Sequence, residues 1–160
     1  RIATDVESDR QFAYGEVKVS TKAVDQNARL TVMGIANANI VDRMQERLDP
    51  RGLDVTDYLK NPVLLAHHSY HNPIGQVDSI EIKEDGVHFS AWIGDPAKSE
   101  LTGMQKEIRS LVSQGILKTV SVGFVPKKVR PPEYDSQGSM TAPAVIEAWE
   151  LLELSVVAVP

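Results

Sequence analysis

The sequence contains no cysteine, and this absence excludes several chemistries. There can be no disulfide framework, no cysteine nucleophile and no zinc or iron–sulfur centre with thiolate ligands. Long apolar runs are also missing, because Glu153 interrupts even the apolar segment 151–160, and a membrane-spanning helix needs about 20 apolar residues. The chain begins at Arg1 without a signal-peptide pattern. We therefore expect a soluble piece of a protein that has no membrane partner.

Positive charge is scarce as well. The chain has 17 lysines and arginines against 22 aspartates and glutamates, so its formal net charge is −5. The one basic cluster, Lys127, Lys128 and Arg130, has no interleaved aromatic residues and lies among prolines, which is typical of a solvated loop. The sequence therefore predicts no broad basic face for phosphates and no nucleic-acid partner.

Short segments with alternating or β-branched apolar residues predict strands along most of the chain. The clearest are residues 74–82 and 87–93, which flank Glu84-Asp85-Gly86. Asp-Gly between two alternating runs is typical of a β-hairpin. Strand patterns also occupy residues 29–36 and 145–159, and no segment repeats. The sequence therefore indicates a mainly β protein.

One segment has helical periodicity. Asp95 is a favourable N-cap, Pro96 suits the first helical position, and apolar residues recur at helical spacing until Gly115. This pattern predicts one long helix over residues 96–114. Strands, one helix and then more strands lack the regular alternation of a doubly wound sheet. We therefore predict a single α+β domain over residues 1–160, an antiparallel β-barrel with this helix packed on it.

Three histidines, His67, His68 and His71, lie within five positions and could in principle ligate zinc. In a strand, however, the adjacent His67 and His68 point to opposite faces. No glutamate of a His-Glu-x-x-His pattern lies between His67 and His71. A metal site remains an alternative, and we favour surface or loop positions for His67 and His71.

His68 follows the apolar run Val63-Leu64-Leu65-Ala66, where a buried strand is expected to emerge into a loop over residues 69–73. At a strand end an imidazole can be held firmly while one of its nitrogen atoms stays accessible, as a general base requires. A histidine that only bonds a backbone carbonyl is the alternative interpretation.

Ser121 is a small hydroxyl residue in the predicted strand 116–125, and Gly123 follows two residues later. The segment lacks the strained Gly-x-Ser-x-Gly turn of many serine hydrolases. Taken alone, Ser121 is therefore better explained by packing or hydrogen bonding than by nucleophilic chemistry.

Two carboxylates interrupt the apolar C-terminal strand. An ionised Glu150 or Glu153 buried there would be costly unless it were paired or hydrogen-bonded. In an extended strand the two point to opposite faces, so only one can approach His68 unless the strand contains a bulge. We expect Glu153 to be the buried one, because Trp149, Leu151 and Val157 are predicted to share its face.

Three sequence blocks, in this order, resemble one family. They are Asn61-Pro62-Val63-Leu64-Leu65-Ala66-His67-His68 with Pro73-Ile74-Gly75, then Ser121-Val122-Gly123-Phe124, then Glu153-Leu154-Ser155-Val156-Val157-Ala158-Val159-Pro160. Each block alone is weak evidence. Together they are similar to the prohead maturation serine proteases of tailed phages, whose fold resembles that of the herpesvirus assemblins. The resemblance covers residues 61–160.

The resemblance implies roles for three residues: Ser121 as nucleophile, His68 as general base and Glu153 as the acidic residue that orients the histidine. It implies an assemblin-like fold and a serine endopeptidase that cleaves segments of phage scaffold and major capsid protein. It also implies a homo-oligomer, expected to be a dimer, inside the assembling prohead in the host cytoplasm. No cofactor is implied. The trio is chemically coherent, since a hydroxyl, an imidazole and a carboxylate can act in this order.

Two other functions stay open at this point. The chain could be a non-enzymatic β-barrel module that acts in capsid assembly or binds scaffold protein. It could also be a metal hydrolase that uses His67, His68 and His71. The first predicts no turnover, and the second predicts bound zinc and activity that a chelator removes.

Overall fold

The computed structural model describes residues 11–19, 27–42 and 44–159, the first of these ranges by its backbone alone. Strands and one helix make up most of this part of the chain. They are β1 (Gln11–Val19), β2 (Leu30–Ala38), β3 (Glu46–Leu48), β4 (Leu53–Asp54), β5 (Val63–Ala66), β6 (Ser69–Lys83), β7 (Gly86–Ile93), α1 (Gly103–Ser113), β8 (Thr119–Arg130), β9 (Glu133–Tyr134), β10 (Met140–Ala142) and β11 (Ala144–Val157). Short 3₁₀ turns lie at Pro50–Gly52 and Tyr58–Lys60. The prediction of a mostly β protein with one substantial helix is confirmed for the described residues.

The large sheet has the strand order β3-β11-β5-β6-β7-β2-β1-β8, with β4 also beside β11. Strand β8 pairs with β11 as well as with β1, so the sheet curls back toward its beginning. Strand β11 runs parallel to β3, β4 and β5 but antiparallel to β8. The predicted antiparallel arrangement is therefore wrong at β11, and the sheet is mixed. Alternation of apolar residues identifies a strand but carries no information on the direction of its neighbours.

The core lies on the inner face of the curled sheet. Its members on the long strands include Val32, Leu64, Ile74, Val87, Phe89, Ile93, Val120, Val122, Phe124, Trp149, Leu154 and Val156. Helix α1 adds Ile108 and Val112, which are four residues apart and therefore share one face of the helix. Each such buried side chain contributes about 1.5–3 kcal/mol relative to exposure. Strand residues that alternate with this core must face the other side of the sheet.

Helix α1 begins seven residues later than predicted. Its N-cap is Thr102, whose hydroxyl accepts a hydrogen bond from the Gln105 N–H at 3.2 Å. The Gln105 side-chain oxygen accepts from the Thr102 N–H at 3.0 Å, which completes a capping box. Asp95 instead starts a separate turn, in which its carboxylate accepts from the N–H two residues later at 3.2 Å. The start predicted at residue 96 is wrong. The chain offers two capping signals, at Asp95 and at Thr102, and the helix begins after Thr102, where the capping box forms.

A buried arginine fastens α1 to the sheet. The Arg109 guanidinium donates to the carbonyl oxygens of Ile93 at 2.7 Å, Gly94 at 2.9 Å and Ala28 at 2.8 Å. Burial lowers the pKa of Arg109, and the nearby Asp95 partly opposes that effect. Three carbonyl acceptors thus replace part of the water that the guanidinium loses.

The glycine of the Pro73-Ile74-Gly75 block is explained by a close approach between strands. A Cβ atom at Gly75 would lie 1.7 Å from the carbonyl oxygen of Trp92. Only glycine lets β6 and β7 pair so closely at this point. Strand β6 continues from the β5–β6 hairpin, so this glycine supports the element that presents His68.

In the part of the chain that the structure describes, α1 has 11 residues. No helix there is long and apolar enough to cross a membrane.

Candidate active site

His68 lies in a two-residue turn between β5 and β6. Ala66 pairs with Ser69, so His67 and His68 form the turn, and both have positive φ angles of 55° and 59°. Positive φ at both central residues is the pattern of a type I′ hairpin turn. The predicted loop over residues 69–73 is instead the start of β6. Neither residue of the turn is glycine or asparagine, so the sequence contains no ordinary signal for a tight turn at this point.

The turn is held against strand β11. The His67 N–H donates to the Val156 carbonyl oxygen at 2.9 Å, and Ala66 pairs in parallel with Val156. His68 Nδ1 lies 2.5 Å from Glu153 Oε1. The Glu153 side chain is only 3% exposed, whereas that of His68 is 27% exposed. The structure thus brings together two of the three residues expected in the site and leaves the imidazole partly open to solvent.

A β-bulge in strand β11 sets the direction of the Glu153 side chain. Leu151 pairs with Phe124 of β8, and Glu153 pairs with the adjacent Gly123, so Leu152 is an extra residue on β11. A bulge of this kind changes which side chains face each side of the sheet. The alternation therefore shifts by one residue between Leu151 and Glu153.

This shift places both carboxylates on the outer face. The core residues of β11 include Trp149, Leu151, Leu154 and Val156. Glu150 alternates with the core residues before the bulge, and Glu153 alternates with those after it, so both face away from the core. The expectations that the two carboxylates point to opposite faces, and that Trp149 and Leu151 share the face of Glu153, are both wrong because of the bulge.

Glu150 forms an ion pair with a different residue. Lys127 Nζ lies 2.7 Å from Glu150 Oε2, and this hydrogen-bonded pair raises the pKa of Lys127. The rest of the basic run also pairs with β11, since Lys128 and Arg130 lie 2.8 Å and 3.5 Å from Glu147 oxygens. The run belongs to strand β8 rather than to the predicted loop. The two carboxylates of β11 therefore offset part of the positive charge of the three basic residues.

Ser121 lies on β8, on the other side of β11 from His68. It pairs directly with Ser155 of β11, so the two side chains share one face of the sheet. Ser121 is 2% exposed. The β5–β6 turn and two adjacent strands thus contribute to the candidate site. The turn supplies His68, β11 supplies Glu153 and β8 supplies Ser121.

Ser155 is the residue that sequence reasoning missed. Its Oγ donates a hydrogen bond to Glu153 Oε2, and its side chain has no exposed surface. The spacing of Glu153 and Ser155 could have indicated this contact, because residues i and i+2 of a strand lie on one face. Among the residues whose side chains are described, the buried polar ones are Asn37, Arg109, Ser121, Glu153 and Ser155. Three of these five are at this site.

A cavity of about 350 Å³ opens beside the Glu153 carboxyl group. It is lined by Tyr58, Asn61, Val63, Leu65, Tyr70, Pro73, Leu152 and Glu153. The Tyr58 hydroxyl donates to the Val63 carbonyl oxygen at 2.9 Å. Burial, with a smaller contribution from the charge on Glu153, raises the pKa of Tyr58 well above its usual value. Tyr58 therefore stays neutral next to the carboxylate.

A larger cavity, of about 520 Å³, lies elsewhere, between β2, β6 and β7. It contains the pair of His88 Nε2 and Asp85 Oδ1, which are 2.7 Å apart. None of the site residues expected from the sequence lines this cavity. Size alone therefore does not mark the candidate active site.

The three clustered histidines do not converge. His67 and His71 are exposed, while His68 contacts Glu153. Within the described residues, no group of three histidine, aspartate or glutamate side chains could hold a metal ion. The metal-hydrolase alternative thus has no geometric support in this part of the chain.

The strained turn leads to a stability prediction. Replacing His67 with glycine should raise the free energy of unfolding by about 1 kcal/mol, because glycine adopts positive φ without the steric cost that other residues bear. The same change at the exposed His71, which lies in extended strand β6, should lower stability by about 0.5–1 kcal/mol. Chemical denaturation of both variants measures the difference. Equal destabilisation by the two changes would contradict a strained turn.

Residues 17–160 match the sequence model of the caudovirus prohead serine protease family. The chain belongs to this family. The resemblance inferred from three blocks is thereby confirmed, and it extends toward the N-terminus from residue 61 to residue 17.

Individual relatives agree with this assignment. The chain is 30% identical to the prohead protease of Escherichia phage T5 over 149 residues, which cover 87% of this chain and 63% of that protein. It is 29% identical to the capsid polyprotein of Pseudomonas phage PAJU2 over 152 residues, which cover 92% of this chain and 20% of that protein. The chain thus spans less than two thirds of the length of either relative.

The fold is also that of a solved structure. The capsid assembly protease of bacteriophage T4 superposes with a TM-score of 0.61 at 12% sequence identity, and the match covers 95% of this chain and 99% of that one. This likeness shows a shared fold. The closer comparison with herpesvirus assemblins stays a prediction.

Proposed function

We propose that this chain is a serine endopeptidase, with Ser121 as nucleophile, His68 as general base and Glu153 as the residue that orients His68. The contact between His68 Nδ1 and the buried Glu153 Oε1, at 2.5 Å, carries the proposal. An ionised carboxylate at such a buried position needs donors. A neutral histidine whose Nδ1 carries the proton toward a carboxylate can use Nε2 as a proton acceptor.

The reaction follows from these positions. His68 Nε2 takes the proton of the Ser121 hydroxyl while Oγ forms a bond to the carbonyl carbon of the scissile peptide. The resulting imidazolium gives that proton to the departing amine as the carbon–nitrogen bond breaks, which leaves an acyl group on Ser121. Water then attacks the ester carbon while His68 takes its proton, and as the ester carbon–oxygen bond breaks, the imidazolium returns that proton to Ser121 Oγ and the carboxylic acid product leaves.

Glu153 contributes charge and orientation. With the carboxylate at Nδ1, the proton of the neutral imidazole is held on that atom and the lone pair stays on Nε2. The same negative charge stabilises the imidazolium when it forms. Because Glu153 is buried, water screens this interaction less than it would at the surface.

The relatives support a proposal on the substrates and the location. The T5 relative is a prohead protease and the PAJU2 relative is a capsid polyprotein. We propose that the substrates are segments of phage scaffold and major capsid protein, cleaved inside the assembling prohead in the host cytoplasm. We also propose that the protease is a homodimer.

A small organophosphonate tests the reaction class. Because Ser121 is nearly buried, a compact reagent is required. Peptide mass spectrometry after incubation should find a single phosphonyl adduct on Ser121, and adduct formation should be lost in the Ser121→Ala variant. An unmodified protein that contains zinc would support the metal hydrolase. An unmodified protein without zinc and without proteolysis would support the non-enzymatic assembly module.

A further inference from the structure

Ser155 is buried beside the carboxyl group of the proposed site, and its hydroxyl has one proton to donate. That proton goes to Glu153 Oε2. The other carboxylate oxygen, Oε1, lies 2.5 Å from His68 Nδ1. Each oxygen of the carboxylate therefore has its own partner, one on strand β11 and one on the β5–β6 turn.

This division fixes the orientation of the carboxylate. Ser155 lies two residues after Glu153 on the same strand, so the hydrogen bond closes a short, rigid loop within β11. A carboxylate held at Oε2 presents Oε1 in one direction, toward the histidine. Without that bond, the carboxyl plane would lose one of the contacts that restrict rotation about the terminal side-chain torsion, which is broad.

The chemistry of Ser155 also separates it from Ser121. The two serines are directly paired across β8 and β11. A hydroxyl has a single proton, and that of Ser155 is committed to the carboxylate. Ser155 can therefore hold Glu153 without donating to the Ser121 oxygen.

We propose that Ser155 is a positioning residue, which keeps Glu153 ionised and aimed at His68 by donating to Oε2. This inference rests on the proposed function of the site. Among the residues whose side chains the structure describes, the titratable groups around the carboxyl group include His68 of the β5–β6 turn, Tyr58 of the 3₁₀ turn and Tyr70 of β6, which lines the adjoining cavity. A hydrogen bond to the charged form of a carboxyl group lowers its pKa. Removing the bond must therefore raise the pKa of Glu153, and a positioning role adds a loss of kcat with little change in KM, which a purely structural role would not produce.

The test compares Ser155→Ala with Ser155→Thr. In the alanine variant, the carboxyl pKa of Glu153, followed by carbon-13 NMR and assigned by its disappearance in Glu153→Gln, should rise by about one unit or more. The kcat for a scaffold-derived peptide should fall about 10-fold or more with little change in KM. Threonine keeps the hydroxyl and suits a strand, so it should restore both values toward those of the native protein. Thermal melting checks that each variant is folded.

The outcomes separate the inference from the proposed function. An unchanged Glu153 pKa, or an unchanged kcat in an enzyme that still labels at Ser121, would overturn the role of Ser155 and leave the protease standing. If the native protein neither cleaves nor labels, the proposed function fails and the positioning role falls with it. If the threonine variant does not fold, the alanine variant alone decides, through the NMR titration and kcat.

Discussion

Replacing Ser121 with alanine is expected to reduce kcat by roughly 10⁶-fold, to the residual level that binding without a nucleophile allows. The change removes one oxygen atom from a buried position on β8. The hydroxyl paired with it across the strands, that of Ser155, has no exposed surface and donates to Glu153. Single-turnover assays with a scaffold or capsid protein segment measure the effect.

A matched serine controls for the Ser121 substitution. Ser139 lies on the exposed segment between β9 and β10, so Ser139→Ala should leave kcat, KM and thermal stability unchanged. Circular dichroism should show that both variants keep the native strand content. Full proteolysis by a folded Ser121→Ala variant would exclude Ser121 as the nucleophile.

The second large effect is expected at Glu153. Glu153→Gln should lower kcat by roughly 10⁴-fold, less than Ser121→Ala, because an amide near Nδ1 no longer favours the required tautomer or stabilises the imidazolium. The amide oxygen can still accept from Ser155, so the variant should fold. The pH dependence of kcat, measured with the same peptide, reports whether the histidine has lost its charged partner.

Glu150 provides the control for this experiment on the same face of the same strand. Its carboxylate pairs with Lys127 at 2.7 Å and not with the histidine. Glu150→Gln should therefore be nearly silent in kcat and should cost about 1 kcal/mol of stability, near the upper end for surface pairs because Glu150 is only partly exposed. If the Glu150 variant loses proteolysis while the Glu153 variant keeps it, the assignment of the orienting carboxylate is wrong, although the enzyme class would stand.

The sequence alone predicted those features that depend on local chemistry. The hairpin around Glu84-Asp85-Gly86 was predictable because Asp-Gly suits a tight turn, and β6 and β7 do flank it. The family was predictable because three short blocks occur in one order. From the same blocks came His68 and Glu153 as partners, and their atoms do meet. The types of side chain and their order along the chain are thus enough to predict the hairpin, the family and the pairing of His68 with Glu153.

Other features depend on contacts between distant segments, and only the tertiary structure decided them. The parallel pairing of β11 with β5 joins residues about ninety positions apart, and no local pattern encodes strand direction. The bulge at Leu152 depends on how β11 meets β8, and it turned Glu150 and Glu153 to the same face against expectation. The turn at His67 and His68 has positive φ angles without a glycine, because the strands on either side and the bond to Val156 hold it. The site therefore takes its residues from the sequence and their geometry from packing, since a strand's neighbours fix where its side chains point.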